Sequence, residues 1–239
     1  MPCLSVDSVS KRFGGLQALD RVSFTIDDNE LVGLIGPNGS GKTTLINILS
    51  GNLAADSGRV FLDGEDTAER RPEQLARQGL IRTFQLTRVF PRMSVIDNLM
   101  VAGCALGLAQ NEAEVRARAL VDDLSLARAQ DLDAGHLSGG QLKLLEFGSC
   151  FMVPPRMALL DEPFAAIHPT MKEIMASFIR RRHAEGQAFL IVSHDMPVIV
   201  ELCRRTVCMN AGTVIADEST RAVLTDPVVI EAYLGETAA

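Results

Sequence analysis

A chain of 239 residues, 47% hydrophobic and 22% charged, has the make-up of an ordinary globular protein of one large domain or two small ones. Its formal charge of −7 argues against a broad nucleic-acid footprint, and no run approaches the roughly 20 apolar residues that cross a bilayer. Cys3, Cys104, Cys150, Cys203 and Cys208 are an odd number without CxxC spacing, which argues against a disulfide framework and a zinc site and predicts buried, reduced thiols in a cytosolic protein.

Met1-Pro2-Cys3 leads straight into strand-like sequence, so no secretory signal is expected, and the chain reads as soluble or peripheral. Residues 4–35 read as short strands, with clean alternation in Val22-Ser23-Phe24-Thr25-Ile26 and a turn at Asp27-Asp28-Asn29-Glu30. Leu31-Val32-Gly33-Leu34-Ile35 is an apolar strand, and Leu45-Ile46-Asn47-Ile48-Leu49 has helical spacing. Between them stands Gly36-Pro37-Asn38-Gly39-Ser40-Gly41-Lys42-Thr43-Thr44, which fits G-x-x-x-x-G-K-[ST]. Glycines admit φ > 0 and close backbone approach, so the loop's N–H groups can form an anion nest at a helix N-terminus. Lys42 is expected to reach the β- and γ-phosphates of a nucleotide, and Thr43 to offer its hydroxyl to Mg2+.

Val60-Phe61-Leu62 reads as a strand and Asp63-Gly64 as a turn; residues 66–79 look helical, with Pro72 near a helix start. From Ser94 to about Met152 the pattern is helical. Ser94 is a candidate N-cap, and residues 112–126 are amphipathic through Val115, Ala119, Leu120 and Leu124. A third helix spans 138–153, opened by Leu137-Ser138-Gly139-Gly140-Gln141, a second anion-friendly helix start suited to a nucleotide on another subunit. Met157-Ala158-Leu159-Leu160 is a buried strand ending in Asp161-Glu162: Asp161 is placed to hold Mg2+, and Glu162 to polarise an attacking water as general base. Ala188-Phe189-Leu190-Ile191-Val192 is a second buried strand. Arg180-Arg181-Arg182-His183 ends a helix and reads as its solvated C-terminus.

Together these residues resemble the ATP-binding cassette of ABC transporters. The phosphate loop at 36–44, a glutamine loop at Gln85, the LSGGQ signature at 137–141 and the acidic strand at 157–162 stand in family order. His194, in Ile191-Val192-Ser193-His194-Asp195, matches the switch histidine, and Phe13 matches the aromatic that stacks on adenine, plain core being the other reading of that ring. His136, beside the signature, reads as a loop or interface residue. The resemblance covers nearly the whole chain. It implies an α/β P-loop NTPase fold with a RecA-like core, an antiparallel β subdomain and a helical subdomain insert. Residues 1–90 and 154–239 would form the core and 91–153 the insert. ATP and Mg2+ are the implied cofactors, with Thr43, Gln85 and Asp161 around the metal. Two cassettes, alike or different, would sandwich ATP between one subunit's Lys42 loop and the other's Ser138, Gly139, Gly140 and Gln141. Glu162 would be the base, His194 would contact the γ-phosphate, and Gln85 would sense Mg2+ and water. Residues 93–101 either receive a permease or pack the insert. His168 departs from the family, which has Asp or Asn there; the loop crosses to the partner subunit, and a histidine is larger and titratable.

Phe13-Gly14-Gly15-Leu16, Ile81-Arg82-Thr83-Phe84-Gln85 and Val229-Ile230-Glu231-Ala232-Tyr233-Leu234-Gly235 are similar to segments of the ATPases of bacterial branched-chain amino acid uptake systems and their relatives for urea and short amides. That group implies a second related ATPase, two integral-membrane permeases, a periplasmic solute-binding protein, a place on the cytoplasmic face of the inner membrane, and no nucleic-acid partner. The alternative is the ATPase of a lipopolysaccharide exporter, which shares Asp161-Glu162-Pro163-Phe164-Ala165 and a Tyr-Leu-Gly-Glu ending. A non-transport ABC protein of DNA repair or translation would carry two cassettes or a long coiled-coil insert, neither of which is read here.

Overall fold

The structure, a computed structural model, describes residues 2–83 and 89–236. Strands β1 (Leu4–Phe13) and β2 (Leu16–Ile26) form a hairpin paired from Leu4↔Ile26 to Phe13↔Leu16. The alternation in β2 does what its period dictates: Val22, Phe24 and Ile26 are buried, while Ser23 and Thr25 face out. β4 (Ser57–Leu62) pairs antiparallel with β1, and β5 (Glu65–Asp66) returns on it through Asp63-Gly64. Both turn residues have positive φ, 49° and 80°, as a type I′ hairpin needs. The resulting sheet has the order β2-β1-β4-β5.

β3 (Leu31–Ile35) begins the second sheet, and α1 (Lys42–Leu49) follows the phosphate loop. Then come α2 (Pro72–Arg77), β6 (Leu80–Arg82), α3 (Val95–Ala105), α4 (Gln110–Asp123) and α5 (Gly139–Ser149). The chain continues with β7 (Met157–Asp161), α6 (Pro169–Ala184), β8 (Ala188–Val192) and α7 (Met196–Leu202). It ends with β9 (Arg205–Asn210), β10 (Thr213–Ser219), α8 (Thr220–Thr225) and α9 (Pro227–Glu236). The six-stranded sheet has the order β10-β9-β3-β8-β7-β6, parallel except for the edge strand β10. Its central strands are continuously apolar because each face meets its own core. Val32, Leu34, Leu159 and Leu190 pack toward the antiparallel sheet, while Leu31, Ile35, Leu160 and Ile191 pack toward the helices. Phe147 and Phe151 of the α5 region close on Phe178 of α6 with centroids 5.3 and 4.9 Å away. Such a buried ring contributes about 1.5–3 kcal/mol.

Several expectations shift. The helix expected over 66–79 is only α2: residues before Pro72 form β5 and a turn in which Asp66 accepts the Ala68 N–H. On α4 the buried stripe runs through Ala113, Ala117, Leu120 and Val121, continuing to Leu124 after the helix, while Val115 and Ala119 are exposed. The 3.6-residue period is right, but small alanines, not Val115, face inward because α3 lies close. The third helix stops at Ser149, ahead of Pro154-Pro155, which cannot continue it. Within 93–101, Val95, Ile96 and Leu99 are buried and Val101 is exposed, so packing of the helices claims most of that segment. The basic run is not merely solvated: Arg181 and Arg182 pair with Asp123, Arg180 pairs with Glu173 and Glu201, and Arg182 lies over the Phe178 ring. Of the cysteines, Cys104 is exposed and Cys150 half-buried; Cys3, Cys203 and Cys208 are buried. Among the described residues no helix is long and apolar enough to cross a membrane.

Candidate active site

The loop between β3 and α1 is held by its glycines. Gly36 has φ 147° and Gly41 φ 103°. A Cβ on Gly36 would lie 2.1 Å from the Met209 carbonyl oxygen, and one on Gly41 2.6 Å from that of Ala18. Only glycine fits between these backbones. The turn joining β9 to β10 braces the loop from the side, Gly212 N–H donating to Ser40 O at 3.0 Å. Lys42 Nζ donates to the carbonyls of Gly36 (2.7 Å) and Pro37 (2.8 Å) and to Ser40 Oγ (3.3 Å). Asn38 and Gly39 are exposed at the mouth, and Thr43 and Thr44 open α1.

Sheet register brings the acids to this loop. β7 and β8 are parallel with Asp161 opposite Val192, so the residues just past each strand are neighbours. Glu162 N–H donates to Val192 O at 2.9 Å, with φ 49° at Glu162. Glu162 Oε1 lies 3.3 Å from His194 Nε2, and Glu162 Oε2 accepts the His194 N–H at 3.4 Å. Burial pushes the Glu162 carboxyl above its ordinary range, the His194 charge opposing and the Asp161 charge adding. Phe13, Lys42, Thr43, Asp161, Glu162 and His194 line one open cleft of 610 Å³. Phe13 is 48% exposed on its wall, with Lys11 Nζ 5.8 Å from the ring centroid; the core alternative for this ring is thereby corrected.

Asp161 is nearly buried and already engaged. Its Oδ2 accepts from Arg82 Nη2 at 2.9 Å, and its N–H donates to Thr83 Oγ1 at 3.1 Å. Arg82 also donates to Asn47 Oδ1 of α1 at 2.6 Å, tying the helix after the loop to the end of β7. The sequence singled out Arg82 only as part of a segment; its buried partner is what gives it a task. Gln85 lies outside the described residues.

The signature turn stands apart. None of residues 138–141 is among the described residues lining the cleft. Ser138 caps α5: its Oγ accepts the Gln141 N–H at 3.3 Å, and Gln141 Oε1 accepts the Ser138 N–H at 3.0 Å. His136 is exposed just before it. His168 is the N-cap of α6, its Nδ1 accepting the Thr170 N–H at 3.3 Å. Cys3, Asp28 and Asp63 also gather. Arg156 donates to both carboxylates there, and burial holds the Cys3 thiol up at about 11, so the cluster is an ion pair beside a neutral thiol.

A parallel sheet carrying a glycine loop, a buried lysine and a strand-end acid pair defines a P-loop nucleotide-binding protein. The ABC transporter family model matches residues 19–165. Over 99% of its length the chain is 34% identical to a probable branched-chain amino acid transport ATP-binding protein LivG of Methanocaldococcus jannaschii, 98% of which is covered. It is 35% identical to the high-affinity branched-chain amino acid transport ATP-binding protein LivG of Escherichia coli K12, with 98% of both chains covered. The crystal structure of the ADP conformation of an ATP-binding cassette of an ABC transporter superposes with a TM-score of 0.87 at 33% identity, covering 98% of this chain and 99% of that one. The chain belongs to the ABC transporter family and is an ATP-hydrolysing transport subunit.

Proposed function

We propose that this protein is the ATPase subunit of an importer for branched-chain or other hydrophobic amino acids or amide-like solutes. The observation that carries the chemistry is the Glu162–His194 pair on the wall of the cleft that holds Lys42. Residues 36–44 bind the phosphates through backbone N–H groups, with Lys42 on the β- and γ-phosphates and Phe13 against adenine. Glu162 takes the proton of the attacking water, and its raised affinity for protons suits a general base. His194 holds that water and the γ-phosphate in line. Gln85 belongs to the same set by its place in the family order.

The donors fit Mg2+: Thr43 and Asp161 both line the cleft and offer hard oxygens. Arg82 occupies Asp161 Oδ2, so Asp161 acts on the ion through its remaining acceptor capacity or through water. Bound there, Mg2+ supplies positive charge to the β- and γ-phosphates. Ser138, Gly139, Gly140 and Gln141, which do not line this cleft, serve the nucleotide of a second ATPase subunit. Residues 91–153 form the helical insert, and residues 1–90 and 154–239 the core. Phe90, Pro91, Arg92 and Val101 are exposed and form the face toward integral-membrane permeases, on the cytoplasmic side of the inner membrane. A periplasmic binding protein selects the solute.

The test is affinity purification of the tagged protein from gently solubilised membranes. Two different permeases and a second ATPase are expected with it. Recovery of a lipopolysaccharide export complex would move the protein to that branch, and recovery of soluble or nucleic-acid proteins alone would overturn the transport role.

A further inference from the structure

The C-terminal helix reaches the phosphate loop. Asp226 Oδ1 accepts the Val228 N–H at 2.8 Å at the start of α9, and Val229 sinks into the core at 2% exposure. Tyr233 stands four residues on, over the same face. Its hydroxyl oxygen accepts the Gly36 N–H at 2.7 Å, across 197 residues of sequence. Gly36 is fixed on its other sides too. Its α-carbon is pressed against the Met209 carbonyl, and its own carbonyl accepts from Lys42 Nζ. One residue therefore links the Tyr233 hydroxyl to the Lys42 ammonium. An ammonium has three donors, and Lys42 directs contacts to Gly36 O, Pro37 O and Ser40 Oγ. Engagement of a phosphate by Lys42 must then loosen at least one of these, and the first two are carbonyls of the peptide chain that Tyr233 holds.

We propose that Tyr233 is a positioning residue of the phosphate loop and that α9 senses the nucleotide through Gly36. This rests on the reading of Lys42 as the phosphate contact. It assigns the tail a part in the ATPase cycle that its distance in sequence conceals.

The chain has one tyrosine and no tryptophan, so its near-ultraviolet emission comes from Tyr233. Wild-type protein is titrated with ADP, following emission and, in parallel, the heat of binding. The emission is expected to change with the calorimetric midpoint. Tyr233→Phe keeps the ring and removes the hydroxyl; it is expected to bind ADP about tenfold more weakly and to raise KM for ATP more than it lowers kcat, as loss of one hydrogen bond to a part-buried N–H implies. Silent emission during calorimetrically proven binding overturns the proposal. So does unchanged ADP affinity in Tyr233→Phe, even with a lowered melting temperature, because that marks a purely structural tyrosine. Absence of ADP binding by the wild type would instead remove the phosphate-loop reading, and the positioning role of Tyr233 with it.

Discussion

Glu162 carries three constraints at once: a left-handed backbone, a half-buried carboxylate, and a histidine at 3.3 Å. The left-handed conformation costs a non-glycine residue about 1–2 kcal/mol, and it turns the side chain off the strand into the cleft. Glu162→Gln keeps the shape and removes the base. Turnover should fall by roughly 10²–10⁴-fold with ADP binding retained; steady-state hydrolysis at the wild-type rate would refute the role. The same variant has a stability signature. Burial raises the folded carboxyl's pKa above its ordinary 4.5, so the fold binds that proton more tightly than the unfolded chain does. The wild type therefore loses stability relative to Gln as pH rises from that ordinary value through the folded value, and stays lower above it. Melting curves should show Glu162→Gln more stable near neutrality and equal to wild type in acid. His194 was read only by its match to the family pattern, whereas Lys42, Thr43 and Glu162 were legible as candidates because their residue types and local spacing carry the chemistry. Arg82 and Tyr233 were not, since each acquires its task from a partner 79 or 197 residues away.

At the scale of the element, the signature turn caps a helix with the same serine that the proposed function sets against a nucleotide. Ser138 and Gln141 close a capping box on α5, a short helix whose Phe147 anchors it to α6. Ser138→Ala should cost about 1 kcal/mol of stability, the usual value of an N-cap. Ser138→Asp restores an N-cap acceptor but places a negative charge where a phosphate would meet the helix start. Denaturant unfolding should find the Asp variant near wild type and the Ala variant weakened, while ATP hydrolysis should be lost in the Asp variant. Hydrolysis surviving in Ser138→Asp would leave the turn a helix cap and nothing more. The cap itself could be read from sequence, as could that of Ser94, whose Oγ accepts the Asp97 N–H at 3.0 Å. The inward face of α4 could not: alanines and one valine compete for it at the same period, and the closeness of α3 decides. His168 shows the same limit, since a residue read as a departure at an interface proves also to cap α6.

At the scale of the molecule, the phosphate loop is where separately folded parts converge. The six-stranded sheet supplies β3 and the strand-end acids, β2 backs Gly41, the turn after β9 braces Ser40, and α9 delivers Tyr233. Ordering this junction should be felt across both cores that flank the sheet, because both contribute strands or helices to it. A ligand that binds only the folded state at 100 times its dissociation constant adds about 2.7 kcal/mol. For a chain of this size that corresponds to a rise of about 5–11 °C in melting temperature. Differential scanning calorimetry with saturating ADP should show that rise as a shift of the whole transition. In Lys42→Ala the same ADP concentration should produce little or no shift, because the point charge on the phosphates is gone while the glycine scaffold stays. A full shift in Lys42→Ala would take the phosphate contact away from the lysine and leave it with the backbone N–H groups alone.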